Sequence, residues 1–135
     1  WSALDVLKVE RIDHGVQAVQ DAALMQRLAQ DRIALTVCPL SNQKLCVFPN
    51  LADHNLGKLL DAGLAATVNS DDPAYFGGYI NDNFTQVFAA TGLTVRNAYQ
   101  LAFNSFEASF ASNADKRVWE HKLKETFERY VEHDY

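Results

Sequence analysis

The sequence lacks the features that mark nucleic-acid-binding and membrane proteins. Its 12 Lys and Arg residues form no run, and they are outnumbered by 17 Asp and Glu residues, which gives a formal net charge of -5. A basic footprint for nucleic acid or for an anionic membrane is therefore not expected. No apolar run approaches the roughly 20 residues of a membrane span, and the first residues show no charged-then-apolar signal pattern. These absences favour a cytoplasmic protein with neither nucleic acid nor a membrane as its partner.

Cysteine is also scarce, since Cys38 and Cys46 are the only two in the chain. They lack the spacing of a metal or redox motif, so they are expected to be reduced thiols without an assigned function. What is present is a hydrophobic content of 48% in 135 residues, which is enough for the core of one domain. The sequence begins with Trp1 rather than Met, which suggests that further residues precede it.

Strand and helix signals alternate along the chain. Short apolar strands are predicted over residues 10–14, 33–38 and 64–69, and helices over 18–30, 53–62, 81–91, 94–105 and 112–133. Residues 39–52 are expected to form a loop, which at this length favours a functional role. Unbroken apolar strands separated by helices are typical of a parallel sheet covered by helices, so the predicted class is α/β.

Polar residues follow each predicted strand. They are His14-Gly15, then Cys38-Pro39-Leu40-Ser41-Asn42, and finally Asp71-Asp72-Pro73. The carboxyl ends of parallel strands lie at one edge of a sheet, so these three clusters are expected to form one site. Successive side chains of an extended segment point to opposite sides, so one of Asp71 and Asp72 can bind a metal while the other holds a substrate. Asp-Asp-Pro is equally typical of a turn or the start of a helix.

These segments resemble the adenosine/adenine deaminase family of zinc-dependent amidohydrolases, which fold as (β/α)₈ barrels. The resemblance is carried by His14-Gly15, by Cys38-Pro-Leu-Ser-Asn42 and by Ser70-Asp-Asp-Pro-Ala-Tyr-Phe-Gly-Gly-Tyr79, and it looks closest to the adenine deaminase branch. It implies hydrolysis of adenine to hypoxanthine and ammonia, with adenosine as the alternative substrate. A small-molecule purine would then be the partner.

The resemblance also implies roles for individual residues. Zinc lowers the pKa of a bound water to about 7, which supplies a nucleophile at neutral pH. Asp71 would be the carboxylate ligand of the zinc, and Asp72 would hydrogen-bond the purine ring. His14 would contact the water, orient it and help to transfer its proton as attack proceeds.

The same resemblance predicts that much of a barrel is missing. A (β/α)₈ barrel has about 250 residues, whereas three strand-helix units are predicted here, corresponding to strands six to eight. The family's His-x-His pair, its third zinc-binding His and its proton-donating Glu have no counterpart. Residues 1–135 are therefore expected to be the C-terminal portion of a single barrel domain, inactive without its N-terminal part. The alternative is a self-contained α/β binding module in which the paired Asp residues bind a cation or cap a helix.

Other polar and aromatic residues carry weaker expectations. Ser41 and Asn42 either order the loop or line the pocket. The aromatic side chains of Tyr75, Phe76 and Tyr79 either wall a purine pocket or pack beneath the loop. The remaining histidines are expected to be solvated bystanders: His54, His121 and His133.

Overall fold

A computed structural model describes residues 1–133 and contains a parallel three-stranded sheet covered by helices. The strands are β1 (Arg11–Asp13), β2 (Ala34–Val37) and β3 (Ala66–Val68), in the order β1-β2-β3, with Ile12 opposite Leu35 and Thr36 opposite Thr67. The α-helices are α1 (Ser2–Asp5), α2 (Ala22–Gln30), α3 (Pro39–Lys44), α4 (Leu56–Asp61), α5 (Pro73–Phe76), α6 (Ile80–Thr91), α7 (Val95–Glu107) and α8 (Asn113–His133). This arrangement confirms the predicted α/β class.

The sheet lies in the apolar core because β2 and β3 are buried on both faces. Leu35 and Val37 of β2 are fully buried, and all three residues of β3 are buried. Helices contribute the other large side chains of the core, among them Leu28, Leu56, Leu59, Val87 and Leu101. Burial on both faces explains why the predicted strands are apolar without alternation.

The predicted helix over residues 18–30 is divided in two. A 3₁₀ helix covers Val16–Gln20, and α2 begins only after Asp21. Asp21 has an extended backbone, and its side chain accepts a hydrogen bond from the backbone N–H of Leu24. Because Asp21 caps the turn that follows it, one helical segment ends there and the next begins. The apolar residues keep a helical spacing across this break, which is why a single helix was predicted.

The prediction of a loop over residues 39–52 is wrong in its first part. Pro39–Lys44 forms α3, and a 3₁₀ helix covers Leu51–Asp53. Proline at the first position of a helix loses no hydrogen bond and has a suitable φ. Pro39 therefore starts α3 and does not begin an irregular loop. Ser41 and Asn42, which were expected either to order a loop or to line the pocket, are buried in this helix.

The predicted starts of the last two helices are confirmed, and α7 ends at Glu107, two residues beyond the predicted end. Thr94 caps α7, and Ser112 with Asp115 forms the predicted reciprocal contact at the start of α8. Aromatic residues of α8 pack on α7, with Phe127 against Tyr99 at 4.7 Å and Trp119 against Phe106 at 5.7 Å between ring centroids. Within residues 1–133, no helix combines the length and apolar character that crossing a bilayer requires.

Candidate active site

The turn after β1 brings His14 to the carboxyl end of the sheet. His14 and Gly15 both have a left-handed backbone, with φ of 57° and 72°. A Cβ at Gly15 would lie 2.7 Å from Cδ2 of Leu35, so only glycine permits this close approach to the sheet. The backbone N–H of His14 donates to the carbonyl of Thr36 at 3.0 Å, which extends the pairing of β1 with β2. The imidazole is thereby held beside the end of β2.

Asp71 reaches the same place from the end of β3. The backbone N–H of Asn69 donates to the carbonyl of Val37 at 2.8 Å, and the chain then turns at Asp71, whose φ is 57°. A left-handed conformation at a residue with a Cβ costs of order 1 kcal/mol, so surrounding contacts must hold it. Nε2 of His14 lies 3.6 Å from Oδ2 of Asp71, and both side chains are about one-third exposed. The two polar groups thus meet at one edge of the sheet, as expected.

A third group of ligand type lies in the same cluster. Single ligand atoms of His14, Cys38 and Asp71 all lie within 4.8 Å of one another. Imidazole nitrogen, carboxylate oxygen and sulfur are the donors that zinc takes in proteins, so the set is chemically suited to zinc. Burial, followed by the nearby carboxylates of Asp71 and Asp13, raises the pKa of the Cys38 thiol to about 12. Cys38 is therefore a neutral thiol at pH 7, which makes it a poorer ligand than the carboxylate.

Asp72 does not join this cluster. Its Oδ1 accepts a hydrogen bond from the backbone N–H of Tyr75 at 3.0 Å, and Pro73 follows as the first residue of α5. The helix-start interpretation of Asp-Asp-Pro is thus correct for Asp72. Within residues 1–133 its Oδ2 makes no hydrogen bond, so the side chain retains an acceptor while it caps the helix.

Ser41 and Asn42 were expected either to order the loop or to line the pocket. Their side chains contact Asp71 and His14 directly. The hydroxyl of Ser41 donates to Oδ2 of Asp71 at 2.7 Å, and Nδ2 of Asn42 lies 3.2 Å from Nδ1 of His14. Both side chains are buried. Their position directly after an apolar strand indicated that they could lie at the site. The sequence did not indicate that they would be part of an α-helix.

The expectation for His54 is wrong. His54 is only 6% exposed, and its Nε2 lies 3.2 Å from Oδ1 of Asn42. Burial lowers the pKa of His54 to about 4, so its ring is neutral at pH 7. No local pattern signalled this contact, because His54 follows Asn42 by twelve residues. His121 is exposed as expected, whereas the side chain of His133 lies outside the described residues.

The aromatic residues after Asp72 divide between the two expected roles. Phe76 is buried, whereas Tyr75 and Tyr79 are 76% and 70% exposed. Gly78 allows α3 and α6 to approach closely, since a Cβ there would lie 2.5 Å from Cδ1 of Leu40. The burial of Phe76 agrees with a packing role, and the two tyrosines remain available at the surface.

Comparison with known proteins agrees with this arrangement of residues. The family model described as adenosine deaminase matches residues 1–126. The chain belongs to the adenosine deaminase family. Membership of this family argues against the alternative of an unrelated binding module, and it agrees with the resemblance seen in the three strand-end segments.

Relatives of known sequence or structure include several proteins named adenine deaminase. One from Albidiferax ferrireducens is 73% identical over 130 residues, which cover 96% of this chain and 38% of the relative. The crystal structure of adenine deaminase from Arthrobacter aurescens superposes with a TM-score of 0.91 at 49% identity, over 94% of this chain and 39% of that one. The chain therefore spans about two fifths of the length of the relatives it matches.

A further solved structure holds a metal. It is an amidohydrolase from Burkholderia ambifaria with bound zinc, which matches with a TM-score of 0.87 at 25% identity, over 97% of this chain and 37% of that one. The three strands and their helices thus form part of a (β/α)₈ barrel.

Proposed function

We propose that these residues are the C-terminal portion of a single (β/α)₈ barrel domain that hydrolyses adenine to hypoxanthine and ammonia. The observation that carries the proposal is the meeting of His14 and Asp71 at 3.6 Å, in a chain 73% identical to an adenine deaminase. Coverage of 38% of that relative supports the view that further strands complete the barrel. Adenosine is the closest alternative substrate, since the matching family model carries that nucleoside in its description.

Asp71 is the residue of this chain that would hold a zinc ion. Its carboxylate is one-third exposed, and the buried hydroxyl of Ser41 donates to it, which leaves further acceptor capacity for a metal. Zinc bound there would lower the pKa of a water and so provide a nucleophile at neutral pH. Stable catalytic zinc sites have three protein ligands, so the others would come from the remainder of the barrel.

His14 and Asp72 would act on the reactants. The imidazole of His14 faces the carboxylate of Asp71, which is a suitable position to orient an attacking water. Asp72 retains an acceptor oxygen for a ring N–H of the purine. Addition of the water oxygen to the carbon that carries the amine, followed by cleavage of that C–N bond, gives hypoxanthine and releases ammonia. Protonation of the ring nitrogen would fall to a group in the remainder of the barrel.

The test uses the full-length protein that contains these residues. Zinc is removed with a chelator and restored, and ammonia release is measured with adenine and with adenosine in parallel. The expected result is zinc-dependent release of ammonia from adenine, with a higher kcat/KM for adenine than for adenosine. Preference for adenosine would change the substrate assignment. Absence of ammonia release from both substrates by the folded, zinc-loaded protein would refute the proposal.

A further inference from the structure

A chain of hydrogen bonds connects the backbone at the start of α4 with the imidazole of His14. Its first bond runs from the backbone N–H of Leu56 to Nδ1 of His54, at 3.1 Å. A backbone N–H can only donate, so Nδ1 of His54 is an acceptor without a proton. The neutral ring of His54 therefore carries its proton on Nε2.

The direction of this first bond determines the next two. Nε2–H of His54 donates to Oδ1 of Asn42 at 3.2 Å, which leaves the amide nitrogen of Asn42 facing Nδ1 of His14, also at 3.2 Å. An amide NH₂ group can only donate, so Nδ1 of His14 accepts. Tautomers and amide orientations are normally assigned from the hydrogen-bond network. Here the backbone N–H of Leu56, which can only donate, determines the direction of every bond in the network.

The intermediate residues are held firmly in this orientation. Asn42 is 2% exposed and His54 is 6% exposed, and the ring of Phe48 packs on His54 at 4.5 Å between centroids. If the amide of Asn42 were reversed, its NH₂ group would face the N–H of His54. Two buried donors would then lack acceptors, at a cost of about 1–3 kcal/mol for each unsatisfied group. In the observed orientation, each of the three hydrogen bonds between Leu56 and His14 joins a donor to an acceptor.

We propose that Asn42 and His54 are positioning residues that hold the ring proton of His14 on Nε2, facing Asp71. In this tautomer the neutral imidazole presents a hydrogen-bond donor at the reaction centre, and it has no lone pair there to ligate zinc or to accept a proton. His14 then orients the attacking water by donation and is not a general base. This catalytic meaning rests on the function proposed above, whereas the tautomer itself does not.

The tautomer of His14 can be measured by ¹⁵N–¹H correlation spectra of the histidine rings in the full-length protein. The resonances of His14 and His54 are assigned by their loss in His14→Gln and in His54→Phe. Both rings are expected to show a protonated Nε2 and a bare Nδ1. A proton on Nδ1 of His14 in the unaltered protein would refute the proposal, whether or not the protein deaminates adenine.

Asn42→Asp reverses the polarity of the last bond while changing the side chain very little. A carboxylate at position 42 still accepts from His54, but it also accepts from His14, so Nδ1 of His14 is expected to become protonated. Because a wrongly placed proton on a catalytic imidazole costs orders of magnitude in rate, kcat for adenine should fall by about 100-fold or more while KM changes less than about twofold. Asn113→Asp, the same change at an exposed position at the start of α8, should leave both unchanged.

His54 provides a second and independent perturbation. His54→Phe keeps an aromatic ring beside Phe48 but removes the donor to Asn42, so His14 should show both tautomers and kcat should fall by about tenfold. His54→Gln restores an N–H donor at the same reach and should recover the Nε2 tautomer. A change in melting temperature with the tautomer of His14 unaltered in every folded variant would show a merely structural role and overturn the proposal. If adenine is not a substrate while the tautomer responds as stated, only the proposed function fails.

Discussion

The two ends of the sheet both carry polar networks, but those networks end differently. At the amino end, Arg32 donates to the carbonyl of Gly63 and pairs with Glu107, while Asn104 donates to the carbonyl of Ala66 at 2.8 Å. These bonds end on two backbone carbonyls and on one complementary charge pair, and they tie α7 to the strands. At the carboxyl end, the bonds pass from side chain to side chain and end on a one-third exposed pair, His14 and Asp71.

The difference shows which structural signs indicate a site and which do not. A left-handed backbone is found at both ends, since Arg32 has φ of 52° and His14 and Asp71 have φ of 57°. Positive φ alone therefore does not distinguish the end that carries the candidate site from the other end of the sheet. Exposure does not separate them either, since Arg32 and Glu107 are 40% and 37% exposed. What separates them is chemical type: the amino end pairs opposite charges and backbone carbonyls, whereas the carboxyl end gathers three groups of metal-ligand type, His14, Cys38 and Asp71.

The largest effect is expected from Asp71→Ala in the full-length protein. If Asp71 holds zinc as proposed, its loss removes several kcal/mol of transition-state stabilisation, so kcat/KM for adenine should fall about 1,000-fold or more. Zinc content, measured on the purified variant, should fall with it. An Asp71→Ala variant that keeps normal activity and zinc would remove the distinction between the two ends of the sheet.

The second effect concerns the pH dependence of stability. Burial lowers the pKa of His54 to about 4 from 6.5, so between these values the unfolded state binds a proton that the folded state does not. The free energy of unfolding should therefore be fully retained above pH 6.5 and fall as the pH drops to 4, by about 3 kcal/mol from this residue.

Urea denaturation across this pH range measures that slope, and His54→Gln isolates its source. Gln does not titrate, so the variant should lack the part of the slope that is due to His54. Identical slopes in the two proteins would show that His54 does not remain neutral as the pH falls. A protonated Nδ1 could not accept from the backbone N–H of Leu56, so the hydrogen-bond chain at the carboxyl end would not form as described.

How far sequence reasoning reached differs between the two ends. His14 and Asp71 could be placed because each follows an apolar strand, and parallel strands bring their carboxyl ends together. The contacts of Asn42 with His54 depend on the path of residues 39–54, where proline and polar residues indicated a loop and α3 forms instead. Arg32 and Asn104 are 72 residues apart, so their contact at the amino end follows from tertiary packing and has no local pattern.

A third test acts on the amino end. Asn104→Ala removes the donor to the buried carbonyl of Ala66 and the acceptor for Arg32. Leaving a buried carbonyl unpaired should lower the free energy of unfolding by about 2 kcal/mol, while kcat/KM of the folded enzyme stays unchanged. Denaturant unfolding and adenine kinetics on one preparation check both parts, with Asn113→Ala as the exposed control. Loss of activity without loss of stability would place a functional group at the amino end.

The smallest effect is expected from Ser41→Ala. Its hydroxyl donates to Oδ2 of Asp71 at 2.7 Å, and hydrogen bonds to charged groups contribute about 1.5–3 kcal/mol. Under the proposed function this bond orients the carboxylate toward zinc, so zinc affinity and kcat/KM should each fall by about tenfold. Ser105→Ala removes a hydroxyl that bonds a helix carbonyl on α7, and it should change neither quantity. Equal effects of the two substitutions would mean that Ser41 contributes only to packing, and the carboxyl end would then resemble the amino end.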